Sequence, residues 1–437
     1  MKTFLLCLML TACSPVTVKS GVLSSGPDNN ATPSDGSQDS DDNRNEEDQS
    51  DNEGNPEDEE QEEEQEEETD LPDTEWTVMV YLAGDNNLEE AALIDLNEME
   101  AVGSTDEVNL LVEIDRSPGY VSYDGNWSGA RRYRVEKDDN RTSIGSPVLV
   151  DLGQVDSGRP ETFIDFVAWS VENYPAKRYA FIIWDHGWGW TLDAPSGRKG
   201  VASDDSTGSF LSIAGGDYEQ ILEAAQTLTE DRLDLVGMDA CLMANWETAR
   251  VTAPYADIYV ASQATESLDG WAFDTSMQDL IDDPEMGAAE LGTYIAQRFY
   301  ETDDSTLSAI DLAELVAMDG AIDELAFAIM DAENPRSAVR RHVGDTQNFD
   351  GDPNDRDLGD FALRLVEDGS NEDIAIASDD LLIQLEQSVV ANFTNGGWVR
   401  DATGLSIYIP TRRLDELYNR GTWNDATMWD EMLESIQ

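Results

Sequence analysis

Two reactive side chains follow apolar segments in this chain of 437 residues. Cys241 comes after the run LDLVGMDA, and His186 comes after RYAFIIWD. A thiol needs a nearby base or cation to become a thiolate at neutral pH, and imidazole is its usual partner. The pair therefore suits nucleophilic attack on an acyl group. The spacing alone leaves open that they are two unrelated core residues, because a free cysteine is commonly a small buried hydrophobe.

The residues next to this pair could assist such an attack. Gly187 follows the histidine, and a glycine allows the backbone to approach a substrate closely with an unobstructed N–H group. Together with the N–H of Cys241, it could stabilise a tetrahedral oxyanion. The second histidine of the chain, His342, lies in the polar segment VRRHVGD and is interpreted as a surface residue.

Asp239 precedes the cysteine by two residues. In an extended segment residues i and i+2 point to the same face, so Asp239 and Cys241 are predicted to face the same way. A carboxylate there could form a bidentate pair with an arginine side chain of a substrate. The alternative is an N-cap, since aspartate commonly caps a helix that begins just after it.

The segments around these residues indicate the fold that positions them. Apolar runs that alternate with amphipathic helices are typical of a parallel sheet covered by helices on both faces, with functional groups at the carboxyl ends of the strands. The main strands are predicted at 76–84, 108–115, 178–190 (with a break at His186-Gly187), 232–239 and 256–266, and shorter ones at 131–135, 146–153 and 404–410. Helices are predicted at 85–103, 162–175, 216–229, directly after Cys241, through most of 306–345, and at 357–367 and 379–390.

The first residues have a different composition. The start MKTFLLCLMLTAC combines one lysine, a short apolar run and small residues, which is typical of a secretory signal. Its ending resembles the bacterial lipobox, which implies cleavage before Cys13 and lipid on that sulfur; an ordinary signal peptide is the alternative. Such a lipid would anchor the chain to a membrane. Residues 28–70 then contain 21 acidic residues, one arginine and no aromatic residue, which predicts a disordered tether.

The charge and the cysteine content of the chain argue against a nucleic-acid-binding protein and against a disulfide-stabilised one. The chain has 93 acidic and 26 basic residues, only five of them lysine, so nucleic acid is a poor candidate partner. An acidic surface poor in lysine suits a saline habitat or attracts basic substrates. After loss of the signal peptide and acylation of Cys13, Cys241 would be the single thiol, which excludes an internal disulfide.

Six segments resemble, in order, blocks of the clostripain family of caspase-like cysteine peptidases. They are VMVYLAGDNNLE (78–89), FIIWDHGWGW (181–190), GMDACLMANWETA (237–249), ESLDGWAFD (266–274), DLGDFA (357–362) and GLSIYIP (404–410). The resemblance implies a mostly parallel caspase-hemoglobinase-like α/β fold. It also implies an endopeptidase that cuts after arginine, and less readily after lysine, with Cys241 as nucleophile and His186 as general base and acid.

The resemblance carries further expectations. It places the acid that binds the basic substrate side chain at Asp239, and it implies self-processing between the histidine strand and the next helix, where Arg198 and Lys199 are the candidate sites. Some members of the family use calcium, but the sequence shows no metal-ligand pattern specific enough to name ligands, so no metal residue is assigned and no cofactor is expected to be required. The family often has proline in the segment that matches 266–271, and this chain does not.

The resulting prediction is a lipid-anchored or secreted bacterial thiol protease of the cell envelope or extracellular space. It comprises a signal peptide (1–12), a disordered acidic linker (13–73) and a peptidase domain (74–437). Its expected partners are peptides or proteins with arginine or lysine at the cleaved bond, and a membrane through the N-terminal lipid. The alternative is a catalytically silent, surface-binding lipoprotein that retains the fold.

Overall fold

A nine-stranded sheet forms the centre of the described part of the chain. The structure is a computed structural model, and it describes residues 73–190, 200–303, 305–349 and 352–437. The strands in these ranges are β1 (Trp76–Gly84), β2 (Val108–Arg116), β3 (Gly129–Arg134), β4 (Val150–Gly153), β5 (Arg178–Trp184), β6 (Val201–Asp204), β7 (Ser209–Leu211), β8 (Leu233–Asp239), β9 (Ala256–Ala261), β10 (Thr306–Asp311), β11 (Asn348–Phe349), β12 (Asp352–Asp357), β13 (Val389–Thr394) and β14 (Ser406–Tyr408).

The strand order of the large sheet is β13-β10-β9-β8-β5-β1-β2-β3-β4. Its centre, from β9 to β2, is parallel, and antiparallel strands extend it at both edges. The parallel centre confirms the interpretation of the apolar runs, since strands buried on both faces need near-continuous apolar sequence. The carboxyl ends of β5 and β8 lie side by side at one edge of the sheet.

Helices cover both faces of this sheet, as predicted. Alternate residues of β1 point to opposite sides: Met79 and Tyr81 enter one apolar core, and Val78 and Val80 enter the other. The helices are α1 (Glu89–Glu100), α2 (Pro160–Asn173), α3 (Asp217–Thr229), α4 (Trp246–Thr252), α5 (Phe273–Asp282), α6 (Ala288–Thr302), α7 (Leu312–Ala317), α8 (Asp319–Met330), α9 (Pro335–Val343), α10 (Leu358–Asp368), α11 (Glu372–Ser388) and α12 (Trp429–Ser435).

Some sequence-based assignments of secondary structure are wrong or misplace a boundary. Residues 306–311 form β10 instead of helix, and 389–394 form β13, because the apolar residues of these short segments pack against neighbouring strands that local periodicity does not reveal. The strand predicted to break at His186-Gly187 ends slightly earlier, at Trp184. The helix predicted directly after Cys241 begins at Trp246.

The remaining strands form two small sheets. β6 and β7 form a hairpin, and β11, β12 and β14 form a three-stranded sheet. In the parts of the chain that the structure describes, no helix is both long enough and apolar enough to cross a membrane. The proposed signal peptide and nearly all of the acidic linker lie outside the described residues, so they stay predictions.

Candidate active site

His186 and Cys241 lie together because their strands are paired in parallel register. Trp184 at the end of β5 is aligned with Asp239 at the end of β8. The Asp185 N–H donates to the Asp239 carbonyl oxygen at 3.2 Å, just beyond the carboxyl end of β5. His186 and Cys241 follow at once, and both line the same narrow cleft. Both are buried to more than nine-tenths.

Gly187 allows the backbones beside the cleft to approach closely. A Cβ atom at this position would lie 2.3 Å from the carbonyl oxygen and 3.1 Å from the backbone nitrogen of Cys241. Atoms without a bond between them do not approach to 2.3 Å, so only glycine fits here. The two backbone N–H groups predicted to bind an oxyanion therefore belong to neighbouring stretches of chain.

We expect Gly187→Ala to lower both stability and activity, because the added methyl group would force the histidine and cysteine loops apart. Overpacking of this kind typically costs about 1–3 kcal/mol of unfolding free energy. Thermal unfolding and kcat/KM measure the two effects. Gly320→Ala is the matched control, since no atom lies within 4 Å of a Cβ added there. Equal behaviour of the two variants would contradict the close approach.

The imidazole of His186 is oriented by an asparagine. Its Nε2 lies 3.1 Å from Oδ1 of Asn87, in the loop between β1 and α1. An amide oxygen only accepts hydrogen bonds, so the tautomer that makes this bond carries its ring proton on Nε2. Asn87 is an orienting partner of His186 that the sequence analysis did not identify.

The turn that carries Cys241 is held by the segment after β9. The Glu266 N–H donates to the Cys241 Sγ at 3.4 Å, a contact that favours a negatively charged sulfur. The next residue, Leu242, has a φ of 65°, which is unusual for a residue with a side chain and stores strain. Its N–H donates to the Ala264 carbonyl oxygen at 2.9 Å, which holds the strained turn in place.

Asp239 lines the cleft and does not cap a helix. The N-cap of α4 is Asn245, whose side chain accepts from the Thr248 N–H at 2.8 Å. The Asp239 carboxylate instead accepts from the Trp271 N–H at 3.2 Å. The capping alternative is therefore wrong, because the helix begins several residues farther along the chain than the sequence pattern indicated.

Two more buried acids accompany Asp239. A Cβ at Gly270 would lie 3.3 Å from an oxygen of Asp239 and 3.3 Å from an oxygen of Asp95, on α1. Burial raises the pKa of Asp239 to about 7. Burial, and after it the charge of Asp239, raises the pKa of both Glu266 and Asp95 well above the ordinary carboxyl value. We call Asp95, Asp239 and Glu266 the acidic pocket.

Apart from the Trp271 N–H at Asp239, the carboxyl groups of the acidic pocket meet few hydrogen-bond donors. Neither oxygen of Asp95 or of Glu266 has a hydrogen-bond partner of good geometry among the described residues. Leaving buried polar atoms unpaired costs about 1–3 kcal/mol for each group. A protein can retain such unpaired groups where a ligand supplies the missing hydrogen-bond partners. Because the groups here are adjacent carboxylates, a ligand with a positive charge and several N–H donors suits them.

Two of the segments that resemble the clostripain family, 357–362 and 404–410, hold the chain next to Glu266 in place. Asp357, the N-cap of α10, accepts from the side chain of Gln263 at 2.9 Å and from the hydroxyl of Thr403 at 2.7 Å. The other end of the Gln263 amide accepts from the Gly404 N–H at 2.8 Å. These bonds fix the chain just before Glu266, so the segments at 357–362 and 404–410 position the pocket without lining it.

Sequence reasoning missed Asn87, Asp95 and Glu266. Glu266 and Asn87 both lie inside segments that resemble the family, but no property of a single glutamate or asparagine marks it as functional. Asp95 carries a weak signal, because it lies on the apolar face of α1 between Ala92 and Met99, where a carboxylate is unexpected.

Other predicted residues lie elsewhere. Cys13, Arg198 and Lys199 fall outside the described residues. His342 lies on α9 and is partly buried, so it is less exposed than the surface position predicted for it, and its Nε2 lies 3.8 Å from a carboxylate oxygen of Asp368. The proline-free segment 266–271 forms one wall of the cleft through Glu266, Ser267, Leu268 and Gly270.

Comparisons with known proteins identify the family and the fold. The sequence is 27% identical over 311 residues to clostripain from Hathewaya histolytica; the match covers 61% of this chain and 59% of that protein. The fold is similar to a secreted C11 cysteine protease from Bacteroides thetaiotaomicron in complex with an irreversible peptide inhibitor, with a TM-score of 0.62 and 20% identity over 82% of this chain and 99% of that one.

A second solved structure has the same fold. The inactive zymogen of a C11 protease from Parabacteroides distasonis aligns with a TM-score of 0.59 and 23% identity, over 83% of this chain and 99% of that one. The description of the clostripain family itself matches residues 80–435, from within β1 to the end of α12. This chain belongs to the clostripain family.

Proposed function

We propose that this protein is a cysteine endopeptidase that cleaves peptide bonds after arginine, and less readily after lysine. The observation that supports this most is the shared cleft: His186 and Cys241 line it together with Asp239 of the acidic pocket. A nucleophile, a base and a cation-binding wall within one cleft are what this reaction requires. Family membership supports the chemistry, and the relative named clostripain supports the preference for a basic side chain.

The proposed reaction uses each group in turn. His186 takes the proton of the Cys241 thiol, and the sulfur attacks the carbonyl carbon of the substrate. The N–H groups of Gly187 and Cys241 stabilise the oxyanion that forms. His186 then gives its proton to the leaving amine, and a thioester remains. Water, deprotonated by His186, hydrolyses this thioester and restores the thiol.

The acidic pocket supplies the selectivity in this proposal. An arginine side chain that enters the cleft would bring a permanent positive charge and several N–H donors to carboxyl groups that lack partners. Its charge lowers the carboxyl pKa values, so that protons leave as the substrate binds. The net charge of −67 on the chain would further attract basic substrates.

Hydrolysis of matched peptide reporters tests this function. Reporters that end in arginine, lysine, glutamine or aspartate differ only in the side chain that enters the pocket, so their kcat/KM values rank its preference. We expect arginine first, lysine second, and little hydrolysis of the other two. A protein that hydrolyses none of them would support the silent, surface-binding alternative.

Export and lipid anchoring are also part of the proposal. They depend on the segment Leu10-Thr11-Ala12-Cys13, and the Bacteroides relative whose fold is similar is described as secreted. The lipid would hold the peptidase at a bacterial membrane, with the acidic linker as a spacer. An N-terminal peptide with an unmodified Cys13 in the purified mature protein would contradict the anchor.

The mature enzyme is expected to be cut once by its own activity. The segment 194–205 contains Arg198-Lys199 in a chain with only five lysines, and an enzyme that cleaves after basic residues could cut there. Mass analysis of the active protein should show two non-covalently joined fragments, with a new end at 198 or 199. The Cys241→Ala protein should remain one chain. A single intact chain with full activity would contradict this step.

A further inference from the structure

A buried carboxylate directly precedes His186. Asp185 follows the last residue of β5, lines the same cleft as the histidine, and is 4% exposed. Its N–H ties the chain to β8 through the Asp239 carbonyl oxygen. The proposed reaction gives its carboxyl group no role, although a charge buried next to an imidazole affects the protonation of that ring.

The hydrogen bonds of Asp185 favour its charged form. Oδ1 accepts from the side-chain amide of Asn86 at 2.8 Å. Oδ2 accepts from the N–H of Ser203, on β6, and from its hydroxyl at 3.1 Å. Burial raises the pKa of Asp185, whereas the charge of His186 and the N–H groups of His186 and Ser203 lower it. These donors therefore offset part of the cost of burying the charge.

An opposite charge is what the protonated histidine needs. His186 is 3% exposed, and an imidazolium buried to this degree is unfavourable unless a negative charge lies close to it. Asn87 contacts Nε2 of the ring but supplies an uncharged amide oxygen. The interaction between Asp185 and His186 is mutual, because the positive charge that favours the carboxylate is favoured by it in turn.

We propose that Asp185 is a positioning residue whose negative charge stabilises the protonated imidazole of His186. This inference rests on the proposed peptidase function, in which His186 holds the proton of the thiol until the leaving amine takes it. Stabilising the imidazolium also favours the thiolate of Cys241, since both ions form in the same proton transfer.

Other ionisable groups lie on the elements around His186, and Asp185 differs from all of them. They are Asp85, Asp204, Asp239, Cys241 and Glu266. In the proposed complex, the positive charge of the substrate offsets the carboxyl groups of the acidic pocket. The thiol becomes negative only when it gives up its proton. Asp85 and Asp204 are next in sequence to Asn86 and Ser203, the two residues whose side chains donate to Asp185. Asp185 is therefore the acid that stays beside the imidazole throughout the reaction.

A titration of the two histidines by NMR tests this assignment in the full-length protein. The Cys241→Ala protein is compared with the same protein carrying Asp185→Asn, so that neither self-cleavage nor the thiol interferes. Loss of the negative charge should make the protonated ring less stable and move the titration midpoint of His186 down by about one pH unit or more. His342, whose Nε2 lies 3.8 Å from Asp368, is the internal control, and its midpoint should not move.

Ser203→Ala is the matched control for a purely structural role of Asp185. It removes one hydrogen bond to the carboxylate but keeps the charge and the backbone N–H donor, so the His186 midpoint should stay nearly unchanged. A role limited to holding β6 would lower the Tm in both variants and move the midpoint in neither. If Asp185→Asn does not fold, Asp185→Ser removes the same charge with a smaller side chain, and the same shift is expected. An unchanged midpoint in a folded variant without the charge would overturn the proposal.

The pH profile of the active enzyme should show the same effect. Hydrolysis of an arginine reporter should decline at high pH as the imidazolium loses its proton, and Asp185→Asn should move this decline to lower pH. The NMR shift does not depend on hydrolysis. A protein that hydrolyses no reporter but shows the shift would overturn the proposed function and still support the assignment of Asp185. Hydrolysis after arginine with an unmoved His186 midpoint would overturn only the assignment of Asp185.

Discussion

Replacing Cys241 with alanine should lower kcat/KM by at least about 10⁴-fold, the scale of loss when an enzyme loses its nucleophile. The sulfur is the atom that forms the covalent intermediate, and the described cleft residues contain no other thiol or lysine amine to replace it. The fold should be retained, because Cys241 is a small side chain on a turn that is fixed by backbone bonds from Ala264 and Ser262.

Kinetics on a reporter with arginine and a thermal unfolding curve measure these two effects. His186→Ala should be nearly as severe, since the thiol then lacks its base. Cys241→Ser is the conservative control. It replaces the thiol with a hydroxyl group of similar size but should be almost inactive, because an alcohol is far less acidic than a thiol. Retained hydrolysis in the alanine variant would exclude Cys241 as nucleophile.

Asp239→Asn should reduce the preference for arginine over glutamine by about 30-fold to more than 10³-fold. Loss of a desolvated charged partner typically costs about 2–5 kcal/mol, and each 1.4 kcal/mol is about tenfold in rate. The substitution preserves size and hydrogen bonding, so the Trp271 N–H keeps an acceptor. The measured quantity is the ratio of kcat/KM for matched arginine and glutamine reporters, in which effects on the cysteine and histidine cancel.

The same ratio should depend on pH in the parent enzyme. Burial raises the pKa of Asp239 to about 7, so the pocket loses its charge as the pH falls through that value, and the preference for arginine falls with it. In Asp239→Asn this dependence should be flat near pH 7. A ratio that is unchanged by the substitution would contradict the role of Asp239 in substrate binding.

Asp239→Asn should lower the preference for arginine but raise the stability of the folded protein at high pH. The folded pKa of Asp239 is above the ordinary value of about 3.9, so between these two values the folded state binds more protons than the unfolded state. Its contribution to stability is therefore lost as the pH rises through that window. Asp239→Asn should consequently be more stable than the parent at pH 8 and similar to it near pH 4. Thermal unfolding at both pH values checks the sign.

The sequence predicts those parts of the site that lie at the ends of apolar strands. β5 and β8 are recognisable because buried parallel strands are apolar throughout, and the position of a reactive residue at their carboxyl ends follows from the topology. His186, Gly187, Cys241 and Asp239 all lie where this reasoning placed them. Their contact with one another depends on the register of β5 against β8, which only the structure gives.

The parts that were not predicted depend on distant segments. Asp95 and Glu266 are two acids among the 93 of the chain, and only the packing of α1 and the segment after β9 against β8 distinguishes them. Asn87 gains its role from a contact across 99 positions of sequence. β10 is short and lies between helices, so its strand conformation follows from pairing with β9 and β13 and not from local propensity.

Covalent capture of the nucleophile tests the central proposal most directly. The purified full-length protein is treated with peptidyl ketone inhibitors that alkylate thiolates and that end in arginine or in glutamine, and the adduct is mapped by mass spectrometry. The expected result is one thioether on Cys241, formed at least about 30-fold faster with arginine, and almost none in His186→Ala. An adduct at another residue, or equal rates for the two inhibitors, would contradict a Cys241 peptidase with an arginine-selective acidic pocket.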